Sequence, residues 1–198
     1  MIIGVTGGIA CGKSVVCKTL EENGFVHIDA DDVAHDILEN PEVIKAVTDA
    51  FGREVLSADD EINTSFHVDR NKLGKIVFSD QEKMELLENI THPAIVKKIA
   101  GMINQNRTRD YVIEAIELVS SGLLDLCDEL WIVHAEPEQQ MKRLVEIRGL
   151  SHEDAAARLK TQEDHDWNEE EADRIIYSVE PIESMTDQVY DAIKALRR

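Results

Sequence analysis

The chain has 198 residues, 43% of them hydrophobic, and carries 40 acidic against 21 basic side chains, a formal net charge of −19. That length suits one domain with small inserted lobes, and a surface this anionic argues against a nucleic-acid partner because it repels the phosphate backbone. No apolar stretch approaches a membrane span, nothing at the N-terminus resembles an export signal, and three cysteines without a pairing pattern (Cys11, Cys17 and Cys127) suit a reducing compartment, so a cytoplasmic protein is expected; a monomer is expected as well.

The first predicted element is an apolar strand at residues 2–5. It runs into Gly7, Gly8, Ile9, Ala10, Cys11, Gly12, Lys13 and Ser14, and Val15 then begins a helix-like stretch. A glycine, four residues, then Gly-Lys-Ser between a strand and a helix fits a phosphate-binding loop. The glycines let the backbone wrap so that successive N–H groups face one anion, and the helix adds the positive end of its dipole. Lys13 is placed to reach the β- and γ-phosphates of a nucleotide, and the Ser14 hydroxyl to ligate Mg²⁺. ATP and Mg²⁺ are the implied cofactors. Cys11, inside this ring of N–H groups, is expected to be a more reactive thiol than Cys17 or Cys127. The alternative is a small buried residue that no reagent reaches.

A second strand at 25–28 leads into Asp29, Asp31 and Asp32. Acidic residues at the carboxyl end of a parallel strand lie where open α/β sheets bind ligands. Asp31 could accept a proton from a substrate hydroxyl or hold that hydroxyl in line with a γ-phosphate. Asp31 or Asp32 could equally cap a helix starting near Val33.

More than eighty residues separate this strand from the third, at 111–116. Leu86, Leu87, Ile90, Ile95, Ile99 and Ile103 recur at helical spacing, and Pro93 predicts a break or a helix start there. Residues 35–103 therefore read as a helical lobe. The third strand carries Glu114, with Glu117 beyond it. A carboxylate beside the phosphate loop can organise Mg²⁺ or its water shell, and Glu114 is the stronger candidate, Glu117 reading as a loop residue.

After a fourth strand at 130–133, a charged helical insert spans 136–173, with a last strand at 174–177. Arg143 and Arg148 follow the fourth strand, and Arg158 and Gln162, four apart, share a helix face on this reading. Arginine forks suit the oxygens of a transferring phosphate; surface pairing with Glu146, Glu153 or Asp154 is the alternative. Residues 163–173 hold seven acidic side chains and no basic one, the mark of a solvated face. Strands alternating with helices predict an α/β fold, a five-stranded parallel sheet with helical inserts.

In this order the motifs resemble the dephospho-coenzyme A kinase family. The resemblance rests on the glycine loop with Lys13 and Ser14, Ile28 to Asp31 followed by Ala34, Asp69-Arg70, Leu73-Gly74, Val77-Phe78, His92-Pro93, the arginine-bearing insert ending at Gln162, and Ala172-Asp173. It implies a P-loop kinase core that transfers the ATP γ-phosphate to the 3′-hydroxyl of dephospho-coenzyme A. It also implies Asp31 as base or orienting group, Thr6 lining the site, Arg143 as lid arginine, 136–173 as the lid, and 35–103 as the acceptor lobe with His92 near the acceptor. The acceptor's own phosphates call for basic residues, with Arg70 a candidate beside Arg143 and Arg148. The chain departs from the family pattern in three places. "EAIELVSS" lacks a proline and has Ser120 near the position of a usual Glu, Val15 follows Ser14 in place of Thr, and Tyr177-Ser178 stand near a usual Asn. A kinase of another nucleotide or nucleoside and a nucleotide sensor without turnover are the competing readings.

Overall fold

The structure is a computed structural model, and it describes residues 1–57, 67–162 and 168–197. The chain divides into two compact units: Met1–Asp29 with Gln105–Arg198, and Ala30–Asn104.

The first unit holds the sheet. Its strands are β1 (Ile2–Thr6), β2 (Val26–Asp29), β3 (Tyr111–Glu114), β4 (Glu129–His134) and β5 (Arg174–Tyr177), all parallel in the order β2-β3-β1-β4-β5. The expected α/β fold with a five-stranded parallel sheet is therefore present. The central strands are continuous apolar runs because parallel sheets are covered on both faces. Ile3, Val5, Val112 and Trp131 are fully buried. β3 stops at Glu114, short of the expected 116, because Val5 and Glu114 are the last paired residues of β1 and β3. Just past that point the Thr6 hydroxyl donates to the Ile116 carbonyl at 2.9 Å.

α1 (Lys13–Glu22) and α8 (Ile182–Leu196) pack together beside the sheet. Val16, Cys17 and Leu20 share one apolar cluster with Val189, Ala192 and Ile193. α6 (Pro137–Glu146) and α7 (His152–Lys160) form the charged insert. Ser151 caps α7, its hydroxyl accepting from the Asp154 N–H at 3.0 Å. α7 ends at Lys160, so Gln162 lies beyond the helix and shares no helix face with Arg158. Of the acidic run 163–173, residues 163–167 lie outside the described residues.

The second unit is helical: α2 (Ala30–Ile37), α3 (Pro41–Phe51), α4 (Arg70–Val77) and α5 (Gln81–Gln105), whose last residue belongs to the first unit. α3 starts on a conventional signal, Asn40 accepting from the Glu42 N–H with Pro41 in the first turn. Asp69 caps α4 through the N–H groups of Asn71 and Lys72. Two expectations fail here. α2 begins at Ala30, directly after β2, so Asp31 and Asp32 stand in its first turn, where the dipole favours carboxylates, and not at its cap. α5 runs unbroken through Pro93. A proline removes one ladder bond, and the stripe of Ile95, Ile99 and Ile103, all buried, holds the helix together beyond it.

Leu20 has no exposed surface and sits in the shared α1–α8 cluster. Leu20→Ala should therefore lower unfolding free energy by about 2–5 kcal/mol, read from denaturant midpoints. A loss well under about 1 kcal/mol would mean that this cluster does not carry the stability of the sheet unit.

Candidate active site

The loop between β1 and α1 is shaped by backbone geometry before any side chain acts. Gly7 has φ +139° and Gly12 has φ +107°, both in the range L side chains avoid. A Cβ at Gly7 would also collide with the Val133 carbonyl oxygen of β4. Ala10 takes a left-handed φ of 56°. The result is a tight turn that delivers Lys13 as the first residue of α1, with no side-chain cap spent on the helix N-terminus.

Lys13 folds back over this turn. Its Nζ donates to the carbonyls of Gly7 at 2.9 Å and Gly8 at 3.1 Å, and the residue is buried. Helix α6 grips the loop from outside. The Arg143 Nη1 donates to the carbonyls of Ala10 (3.0 Å) and Cys11 (3.2 Å) and to the Ser178 hydroxyl (2.8 Å). Gln140, one turn earlier on α6, donates to the Ile9 carbonyl at 2.8 Å, while the Ile9 N–H donates to the Gln162 side chain. Gln140 was not anticipated from the sequence. Its signal was the i, i+3 spacing to Arg143 on one helix face.

A pocket of about 190 Å³ opens beside the loop, lined by Gly12, Lys13, Ser14, Glu114, Arg143 and Arg148 among others. Three cations and one carboxylate meet there on a chain of net charge −19. Ser14 is exposed, and Val15 beside it is half-buried. Thr6, at the end of β1, directly precedes the loop. It is fully buried and its hydroxyl is engaged by Ile116, so it anchors the start of the loop.

Glu114 ends β3 and is mostly buried. Its carboxylate lies 3.2 Å from the His27 Nε2 of β2 and against the Cys17 thiol of α1. Burial alone would raise its pKa, but His27, Cys17 and Lys13 together outweigh burial and hold it below the usual carboxylate value. The same contact raises His27 above 6.5, against the opposing effect of its own burial. Cys11 is not the low-pKa thiol that the loop's field suggested, although burial lifts all three thiols, Cys17 well above its ordinary value and Cys127 up to about 12. Only 1% of Cys11 is exposed, and burial raises its pKa although Lys13 and Arg143 pull the other way. Desolvation of the thiolate costs more than the loop's positive field returns.

The remaining expected residues belong to the second unit. Asp31 is exposed in the first turn of α2, and His92 is half-buried on α5. Arg70, the first residue of α4, is exposed, and its guanidinium lies 2.5 Å from the His35 Nε2, which accepts because arginine can only donate.

The sequence model of the dephospho-CoA kinase family (CoaE) matches residues 1–182 of this chain. The chain belongs to the dephospho-CoA kinase family. The dephospho-CoA kinase of Carboxydothermus hydrogenoformans is 40% identical over 192 residues, covering 95% of this chain and 90% of that protein. That of Dehalococcoides mccartyi is 41% identical over 164 residues, 81% of this chain and 80% of that protein. Among solved structures, the dephospho-CoA kinase from Campylobacter jejuni superposes with a TM-score of 0.61 at 28% identity, covering 98% of this chain and 96% of that one. The chain is thus a kinase. Ser178, just past β5, is buried and accepts from Arg143, so the end of β5 is tied to the insert that bears Arg143.

The His27–Glu114 pair makes a pH-dependent contribution to stability. A histidine raised on folding stabilises fully below its unfolded value of 6.5, and this is lost as pH rises through its folded value. The thermal midpoint difference between the native chain and His27→Gln should be largest just below pH 6.5 and shrink toward alkaline pH. A difference that stays constant, or grows with pH, would show that the pair is not coupled by charge.

Proposed function

We propose that this chain transfers the γ-phosphate of ATP to the 3′-hydroxyl of the ribose of dephospho-coenzyme A, giving coenzyme A and ADP in the last step of coenzyme A synthesis. The observation that carries the reading is the family match over residues 1–182 joined to an intact phosphate loop with Lys13 and Arg143 converging on it.

The loop N–H groups and the α1 dipole bind the triphosphate. Lys13 leaves the Gly7 and Gly8 carbonyls and offers its charge to the β- and γ-phosphates. Arg143 and Arg148 stand over the transferring group from the insert, residues 136–173, which acts as the lid. The oxygen donors of Ser14 and Glu114 at the pocket suit Mg²⁺, a hard cation. When bound with ATP, Mg²⁺ neutralises charge on the β- and γ-oxygens. Ser14 would hold it directly, and Glu114 would order its water shell.

Residues 35–103 supply much of the acceptor site, with His92 and Arg70 as contacts. Asp31 aligns the 3′-hydroxyl and takes its proton as the new oxygen–phosphorus bond forms and the bond to the β,γ-bridging oxygen breaks. Because the transition state is loose, alignment outweighs early deprotonation. Free thiols and the absence, among the described residues, of any helix long and apolar enough to cross a membrane accord with a cytoplasmic enzyme. It acts as a monomer on a small molecule, and its acidity disfavours nucleic acid.

The test is ADP release with ATP and Mg²⁺ against dephospho-coenzyme A, AMP and adenosine, with the product located by NMR. Dephospho-coenzyme A should be preferred and phosphorylated on its 3′-oxygen. Preferential transfer to AMP or adenosine would replace this reading by the related-kinase one, and no transfer to any acceptor by the sensor. Lys13→Ala should keep the native circular dichroism and lose turnover. Asp31→Asn should lower kcat by about 10²–10⁴ and leave ATP affinity nearly unchanged. Near-native turnover in either folded variant would remove that residue from the mechanism.

A further inference from the structure

Behind the phosphate pocket lies a second constellation, of which the proposed phosphoryl transfer uses Glu114 alone. Cys17 follows Lys13 by four residues, so it sits one turn further along the same side of α1 and is fully buried. The β2–β3 register pairs His27 with Val112 and Asp29 with Glu114, and strand alternation then places His27 and Glu114 on one face of the sheet. The Cys17 Sγ, a ring nitrogen of His27 and a carboxylate oxygen of Glu114 all lie within 4.8 Å of one another.

Two details are unusual for an ordinary core. The His27 Nε2 is buried and lies 3.2 Å from the Glu114 Oε2, yet it makes no well-directed hydrogen bond among the described residues. Buried nitrogens are rarely left so. The other ring nitrogen, Nδ1, faces Glu21 at 3.9 Å. At 3.9 Å this is an ion-pair distance and not a hydrogen bond, and a small shift of the Glu21 side chain would bring it into the bond that turns a histidine lone pair toward a metal.

We propose that Cys17, His27 and Glu114 form a site for a borderline-soft divalent cation of the Zn²⁺ class, with water in the fourth position. One thiolate, one imidazole and one carboxylate suit Zn²⁺, and the sulfur excludes Mg²⁺ as the preferred occupant. Tetrahedral bonds of the usual lengths set ligand atoms roughly 3.3–3.8 Å apart, so side-chain rotation suffices to close the cluster. On binding, neutral His27 donates the Nε2 lone pair and Glu114 a carboxylate oxygen. The Cys17 thiol releases its proton to solvent as the sulfur–metal bond forms. Glu114 borders the phosphate pocket with Lys13 and Ser14, so a bound ion commits its carboxylate to the sheet side and lowers kinase turnover. That last consequence rests on the reading of Glu114 given above, whereas the binding itself does not.

Co²⁺ alone, added to the purified full chain, is the probe. One equivalent should produce a thiolate-to-cobalt charge-transfer band that Zn²⁺ displaces. Cys17→Ser should abolish the band and Cys127→Ser should keep it. His27→Gln offers a second deletion if the buried serine perturbs folding. Glu21→Gln, at a largely exposed position, should weaken Zn²⁺ binding by about 10–100-fold. No band, or a band that follows Cys127, overturns the site. Turnover with and without Zn²⁺ reads the coupling: the native chain should lose activity with Zn²⁺ and Cys17→Ser should not. Equal inhibition of both chains overturns that coupling. A cobalt band in a chain that phosphorylates no acceptor would leave the metal site standing and count against the proposed function alone.

Discussion

The structure depends on one constraint: a short loop must bring backbone N–H groups, a lysine and an arginine to one point on a chain whose net charge is −19. Like charges resist such convergence, and here backbone carbonyls hold the cations in place. Lys13 is bonded to Gly7 and Gly8, and Arg143 to Ala10 and Cys11. Each cation satisfies carbonyls that the tight turn leaves without a ladder partner. The bonds are to neutral groups, so both charges stay available for an anion.

The sheet supplies the rigid ground for this loop. β1 lies at its centre, between β3 and β4, and ends at Thr6, whose hydroxyl is fixed by Ile116. The Val133 carbonyl of β4 closes the space where a side chain at Gly7 would go. On the other side, α1 packs Val16, Cys17 and Leu20 into the core shared with α8. A one-sided loop of this kind would flex, whereas one held by two strands and a buried helix keeps its donors aimed, which is what electrostatic preorganisation requires.

Burial then sets the chemistry of the groups around the loop in opposite directions. Glu114 remains an anion because His27, Cys17 and Lys13 offset its desolvation. Cys11 becomes a poorer nucleophile than an exposed thiol because Lys13 and Arg143 do not offset its own. The two lie close to the same cations. They differ in how much water each has lost and in how many polar neighbours replace it.

Much of this was legible in the amino-acid order. A strand, a glycine turn and Lys13-Ser14 encode a phosphate loop because the interactions that build it span only a few residues. The apolar runs of β1, β3 and β4 mark a covered parallel sheet for the same local reason. What acts over long separations was not legible. Pro93 looked like a break, yet the buried stripe of Ile95, Ile99 and Ile103 keeps α5 whole. Gln162 looked like part of a helix face, yet it bonds to Ile9 on the far side of the chain's length. The cluster of Cys17, His27 and Glu114 exists only because β2 and β3 pair in one register beneath α1. Sequence by itself determined which groups could carry charge and which turns the backbone could make. Tertiary structure decided which of those groups kept their water, because desolvation is set by atoms that the chain brings together from distant positions.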